Sequence, residues 1–143
     1  MSMYKQFRTD PKLESTGIVV DYGDFRVTVA RAGGTNRKFA RAMEAKSRPY
    51  RRRIQTETLD NDLANRLLRE VYAETLILKW EVRVDGKWAT GIENPDGGTP
   101  LPFNPKNVEA VLVELPDLFA DLQDQSTSMR LYRQDLLEDD AGN

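Results

Sequence analysis

The stretch Leu101–Arg133, LPFNPKNVEAVLVELPDLFADLQDQSTSMRLYR, predicts two short helices that meet at a proline. Asn104 can accept a hydrogen bond from the first helical turn, and Pro105 follows where a missing N–H costs nothing. Pro116 disfavours helical geometry at Leu115 and suits the first turn of a new helix, so we expect a corner there. The residues predicted to face the core are Val108, Val111, Leu112 and Leu115 in the first helix and Leu118, Phe119 and Leu122 in the second.

Two β-hairpins are predicted upstream of this stretch. Alternating β-branched residues flank the turn Asp21–Asp24 and predict an N-terminal hairpin. Asp85-Gly86 is a strong two-residue turn signal and predicts a second hairpin near residues 80–90. Because a lone hairpin is marginal in water, its apolar face must rest on helices or pair with another strand. Together these patterns predict an α+β fold that is mainly α-helical.

Two further helices are predicted between the hairpins. The first begins after Gly33-Gly34, with Thr35 as its N-cap. The second is capped by Asp60 or Asn61 and carries a broad apolar face, near the 3.6-residue period, as far as Leu78. This second helix has the strongest helical periodicity in the chain.

The length and the distribution of polar residues predict one domain over residues 17–137. Residues 1–16 are polar and contain Pro11, so we expect a flexible N-terminal arm with little structure. The helix that begins at Pro116 is expected to continue to about Leu137. Residues 138–143 are expected to form a frayed tail.

The composition limits the chemistry that this chain can perform. It has no cysteine, which excludes disulfides and thiolate chemistry, and no histidine, the commonest general base and metal ligand near neutral pH. We therefore expect no catalysis, cofactor or metal, although a carboxylate enzyme with Mg²⁺ is left open. No apolar run approaches the roughly 20 residues that span a bilayer, and the N-terminus lacks a signal-peptide core. We expect a soluble, cytoplasmic protein.

Positive and negative charges are segregated along the chain, although the net charge is only −2. A basic segment interrupted by one acid, Glu44, precedes an acidic C-terminal region. The basic residues are Arg37, Lys38, Arg41, Lys46, Arg48, Arg51, Arg52 and Arg53. The acidic residues are Glu114, Asp117, Asp121, Asp124, Asp135, Glu138, Asp139 and Asp140. From these sets, and from a tryptophan beside a polar loop, the residues that we predict to contact a partner are Arg41, Arg48, Arg51, Arg52, Trp88, Asp117, Asp121 and Asp124.

This charge segregation allows three interpretations. The basic segment of one copy can meet the acidic helix of another in head-to-tail self-association. Alternatively, both charged faces are solvated or paired within the monomer. Finally, the run RPYRRR can neutralise phosphates while Tyr50 stacks on a base, although the acidic overall balance makes a nucleic-acid partner unlikely.

The order of the segments also resembles a known family. The stretch FNPKNVEAVLVELPDLFADLQDQS follows LILKWEVRVDGKW, which in turn continues the helical pattern LANRLLREVYAETLILKW. From about Asp10 to Arg133, this order is similar to that of the tail assembly chaperones of long-tailed, siphophage-type bacteriophages.

The resemblance implies a function and a set of partners. A tail assembly chaperone binds the phage tape measure protein in the host cell cytoplasm, helps to recruit tail tube subunits, and is absent from the mature virion. The resemblance further implies that a longer, frameshifted product contacts the tail tube protein and that this chain is the short product. The alternative function is that of a small nucleic-acid-binding regulator that uses the segment Arg37–Arg53.

Overall fold

Four antiparallel strands in consecutive order, β1-β2-β3-β4, form one sheet, and helices pack on one of its faces. The structure is a computed structural model and describes residues 2–133. The strands are β1 (Ile18–Asp21), β2 (Phe25–Val29), β3 (Ile77–Val84) and β4 (Lys87–Thr90). The helices are α1 (Met3–Phe7), α2 (Pro11–Thr16), α3 (Lys38–Ser47), α4 (Arg51–Gln55), α5 (Asn61–Val71), α6 (Pro105–Glu114) and α7 (Pro116–Thr127). The fold is α+β and mainly helical, as predicted.

Both predicted hairpins form, and they pair with each other through β2 and β3. The helix predicted to reach Leu78 ends earlier, because α5 stops at Val71 and a π-helical turn, Tyr72–Leu76, leads directly into β3. β-Branched Thr75 and Ile77 favour extended backbone, and pairing with β2 outweighs the helical periodicity. Asp60 caps α5 as expected, since its side chain accepts a hydrogen bond from the backbone N–H of Asp62.

The core lies between the inner face of the sheet and the helices. The inner face contributes Val27, Val29, Trp80 and Val82, and the helical layer contributes Leu76, Val108, Leu112 and Leu122. A chain of edge-to-face aromatic contacts joins three elements, since Tyr72 packs against Phe39 of α3 and Phe119 of α7 at centroid distances of 5.5 and 5.2 Å. The buried Tyr72 hydroxyl also shares a hydrogen bond with Ser126. The helices are therefore fixed to the sheet by both apolar and polar contacts.

The predicted corner between α6 and α7 is confirmed. The Asn104 side chain accepts a hydrogen bond from the Asn107 N–H, Pro105 opens α6, and Pro116 opens α7. However, Leu115 was expected on the apolar face, and it is 50% exposed because its backbone leaves the helical path.

The predicted continuation of α7 towards Leu137 is wrong, because the helix ends at Thr127. The Ser126 and Thr127 hydroxyls both donate to the carbonyl of Gln123, and such bonds compete with the helical ladder. A 3-10 turn, Met129–Tyr132, follows. The end of the predicted helix and the predicted tail at residues 138–143 lie outside the described residues.

The N-terminal segment, where little structure was expected, forms two short helices. Glu14 of α2 is fully buried, and its carboxylate accepts a 2.6 Å hydrogen bond from Arg31. Thr9 and Thr35 also donate their hydroxyls to it, at 2.9 and 2.7 Å. Thr35 therefore does not cap the next helix as predicted, and Arg37 stands at the N-cap of α3 without a side-chain bond. Three donors and one charge pair thus compensate for the burial of a carboxylate.

We expect Glu14→Gln to lower the free energy of unfolding by about 3 kcal/mol, because it leaves the Arg31 guanidinium without its buried counter-charge. Urea unfolding followed by tryptophan fluorescence measures this change. The matched control is Lys12→Gln on the exposed side of the same helix, which should change stability by less than about 0.5 kcal/mol. Equal midpoints for Glu14→Gln and the control would contradict the structural role of Glu14.

Acid should remove the contribution of Glu14. Burial raises the pKa of this carboxyl, but hydrogen bonds from Thr35, Arg31 and Thr9 outweigh it, so the pKa lies below the ordinary value of 4.5. The stabilisation is therefore complete above about pH 4.5 and is lost as the pH falls through the lower, folded-state pKa. Unfolding measured from neutral to acidic pH should show a steeper loss of stability for the wild-type protein than for Glu14→Gln. Parallel curves would show that Glu14 is not a source of the acid sensitivity.

Candidate protein-binding surfaces

The basic segment forms one continuous, exposed surface. We call it the basic surface, and it consists of α3, the 3-10 turn Arg48–Tyr50, and α4. Phe39 and Lys46 attach α3 to the body, whereas every residue of α4 is exposed. The predicted contact residues Arg41, Arg48, Arg51 and Arg52 all lie exposed on this surface.

Most of the basic side chains have no ion pair with an acidic residue in the described part of the chain. Lys46 is the exception, since its Nζ lies 3.1 Å from Glu70 and 2.9 Å from Glu74. Hydrogen bonds to these two carboxylates raise the pKa of Lys46. Arg48 lies 3.7 Å from Glu44, and both side chains are about two-thirds exposed. Of the seven basic side chains on this surface, the other five have no ion pair within residues 2–133.

A shallow notch lies between α3 and α4. We call it the α3–α4 notch, and its volume is about 130 Å³. It is lined by Glu44, Ser47, Arg48, Arg51, Ile54 and Gln55. Ile54 is 44% exposed, so the notch combines an accessible apolar side chain with two guanidinium groups. A ligand that offers an apolar group beside carboxylates would complement it.

The three predicted contact residues of the acidic helix α7 do not share one environment. Asp117 and Asp124 are exposed, and neither has an ion pair among the described residues. Asp121 instead accepts a hydrogen bond from the Tyr22 hydroxyl. Burial and this bond raise the pKa of Tyr22. Asp121 therefore ties α7 to the first hairpin, while Asp117 and Asp124 face solvent.

The corner between α6 and α7 exposes apolar and acidic side chains together. We call it the acidic corner, and it consists of Val113, Glu114, Leu115, Pro116 and Asp117, all of which are exposed. Val113 and Leu115 are 56% and 50% exposed and lie two residues apart. The acidic corner thus has the same kind of composition as the α3–α4 notch, with the opposite charge.

Trp88 lies away from both charged surfaces, on the outer face of the sheet. The guanidinium carbons of Arg26 and Arg83 lie 4.2 and 4.4 Å from its ring centroid. Arg26 also pairs with Glu81, with 2.7 Å between Nε and Oε1. Hydrogen bonding to Arg26 lowers the pKa of Glu81. Trp88 is half-buried in this group, so the structure gives it a stacking role in addition to the contact role predicted from the sequence.

The structure therefore places Arg48 and Arg51 together in the α3–α4 notch, and Arg41 and Arg52 lie elsewhere on the basic surface. Trp88 lies on β4 and the predicted acids lie on α7, and none of these acids forms an ion pair with the predicted arginines within residues 2–133. The sequence analysis did not predict a contact role for Ile54 or Val113. Both are apolar residues outside the predicted core faces, and this feature could have identified them from the sequence.

Within residues 2–133, no group of three or more acidic, cysteine or histidine residues is arranged to hold a metal ion. In the same part of the chain, no helix has the length and apolar character needed to cross a bilayer.

Comparison with protein families gives the origin of the chain. The model of the YdaY prophage protein family matches residues 34–143, a range that includes both charged surfaces and Trp88. The match defines a phage-derived protein. The chain belongs to the YdaY prophage protein family. No curated protein and no solved structure matches it.

We expect Trp88→Ala to lower the free energy of unfolding by about 1–2 kcal/mol, because it removes two cation–π contacts. Urea unfolding can be followed through the remaining Trp80. The neighbouring, exposed Lys87→Ala is the control and should remain within about 0.5 kcal/mol of the wild-type value. If the two substitutions have equal effects, the stack does not stabilise the sheet.

Proposed function

We propose that this prophage-family protein is a tail assembly chaperone. In this proposal it binds the phage tape measure protein in the host cell cytoplasm, helps to recruit tail tube subunits, and is absent from the mature virion. It acts by binding and not by catalysis. A longer, frameshifted product would provide the contact with the tail tube protein.

The observation that carries the proposal is the exposed basic surface, most of whose side chains have no ion pair within residues 2–133. Isolated surface ion pairs contribute little to stability, so exposed charges of one sign are better explained by association with other molecules than by folding. The tape measure protein of a long-tailed phage is long and helical. Charge complementarity along such a helix would fix the register of binding and raise the rate of association.

The α3–α4 notch supports a helical ligand. Helical ligands are held by apolar side chains that recur at three- and four-residue intervals and enter grooves on the partner. Ile54 contributes an apolar side chain to the lining of the notch, while Arg48 and Arg51 favour carboxylates on the flanking turns. The segment order that resembles tail assembly chaperones extends across this region, and the prophage family to which the chain belongs is consistent with a role in phage assembly.

A nucleic-acid-binding regulator is the second candidate, because the exposed arginines of α3 and α4 could also contact phosphates. The exposed carboxylates of α7 and the net charge of −2 weigh against this candidate. The experiment below therefore includes a duplex of random sequence as a competing ligand.

The test is a pull-down and a titration with fragments of the tape measure protein encoded by the same prophage. We expect binding that weakens at least tenfold in the variant Arg41→Glu/Arg52→Glu, because these substitutions reverse two charges on the basic surface. The matched control is Lys12→Glu/Lys87→Glu, which changes the net charge equally at exposed positions elsewhere and should bind like the wild-type protein.

Two results would overturn the proposal. One is no binding to any fragment of the tape measure protein. The other is binding of the random-sequence duplex at physiological ionic strength that is tighter than binding of the fragments and that Arg41→Glu/Arg52→Glu abolishes. The latter result would favour the nucleic-acid-binding regulator.

A further inference from the structure

We infer that the acidic corner of one copy of this chain docks in the α3–α4 notch of a second copy. The two surfaces have complementary composition. The corner presents Val113 and Leu115 beside two carboxylates, and the notch presents Ile54 beside two guanidinium groups and one carboxylate, that of Glu44. The ligand of the notch in one copy is thus the acidic corner of a second copy.

The charges make this contact favourable. Glu114 and Asp117 are exposed and have no ion pair among the described residues. Arg51 likewise has none, and the Arg48–Glu44 pair, at 3.7 Å, is an exposed pair of the kind that contributes little. Arg48 can therefore exchange Glu44 for a carboxylate of the second copy at small cost. The net charge of −2 gives little general repulsion between copies.

The apolar side chains give the contact an anchor. Val113 and Leu115 lie exposed at the end of α6, and α7 begins at the next residue, Pro116. Entry of either side chain would remove apolar surface from water on both copies, at Ile54 and at the corner.

The geometry makes the assembly head-to-tail. The corner and the notch are different patches of one molecule, and no ion pair joins them within residues 2–133. Repeated contacts between unlike patches generate closed rings or open chains. The contact is small, so we expect weak association that strengthens with protein concentration and weakens with salt. This inference does not depend on the proposed function.

Sedimentation velocity and light scattering of the full chain over a range of concentrations test the contact. The notch variant is Arg48→Glu/Arg51→Glu, and the corner variant is Glu114→Lys/Asp117→Lys. We expect the wild-type protein to assemble and each variant alone to associate at least tenfold more weakly. A mixture of the two variants should form 1:1 dimers and nothing larger, because each variant retains one intact surface, and these two surfaces fit each other.

Matched controls separate the contact from a general effect of charge. Lys12→Glu/Lys87→Glu changes the net charge as the notch variant does, and Glu93→Lys/Asp96→Lys changes it as the corner variant does, all at exposed positions. Both controls should assemble like the wild-type protein. Ile54→Ser, a neutral change at an exposed position, should also weaken assembly, and circular dichroism verifies that each variant is folded.

The inference is overturned if the wild-type protein remains monomeric at the highest attainable concentration. It is also overturned if the notch and corner variants assemble like the wild-type protein, if the controls are equally impaired, or if the mixture gives no dimer. A monomeric protein that still binds the tape measure fragments would overturn this contact alone. An assembling protein that ignores those fragments would overturn only the proposed function.

Discussion

The pairing of β2 with β3 is the constraint on which the rest of the structure depends. It places Val27 opposite Trp80, both of them buried, and so joins two hairpins that are far apart in the chain into one sheet. The intervening residues must leave the sheet and return to it. A hydrogen bond from the Ala30 N–H to the Leu76 carbonyl closes this excursion at its base. Everything between these two residues, including the basic surface, is therefore held on a closed loop of helices.

Within that excursion, a few side chains fix α3 and leave the others to solvent. Phe39 packs on Tyr72, and Lys46 reaches the carboxylates of Glu70 and Glu74. Neither contact extends to α4, whose residues are all exposed. The basic segment thus contains one lysine that stabilises the fold and a set of arginines that remain exposed to solvent. Basic residues that look alike in the sequence therefore have two different roles in the structure.

Sequence rules succeeded where the determining contacts are local. The cap at Asn104 with Pro105, the turn at Asp85-Gly86 and the corner at Pro116 each depend on residues within one turn of each other. The same rules failed where the partner of a side chain lies far away in the sequence. Glu14 is ordered by Arg31 and Thr35, and Asp121 is engaged by a tyrosine in the first hairpin. No sequence pattern predicts either pairing. The segment around Glu14 was therefore expected to be a flexible polar arm, and Asp121 was expected to be free to contact a partner.

Helix packing fixes the positions of the basic surface and the acidic helix, and no ion pair joins them within residues 2–133. Tyr72 lies between Phe39 of α3 and Phe119 of α7, while α3 packs on α5, α5 on α6, and α6 on α7. The aromatic contacts that join Phe39, Tyr72 and Phe119 hold these helices in place. Such contacts are worth more than an exposed ion pair, so the separation is stable. Within residues 2–133 the fold supplies few counter-charges to either surface, and a second macromolecule would supply both the charges and the apolar groups that complement Ile54 and Leu115.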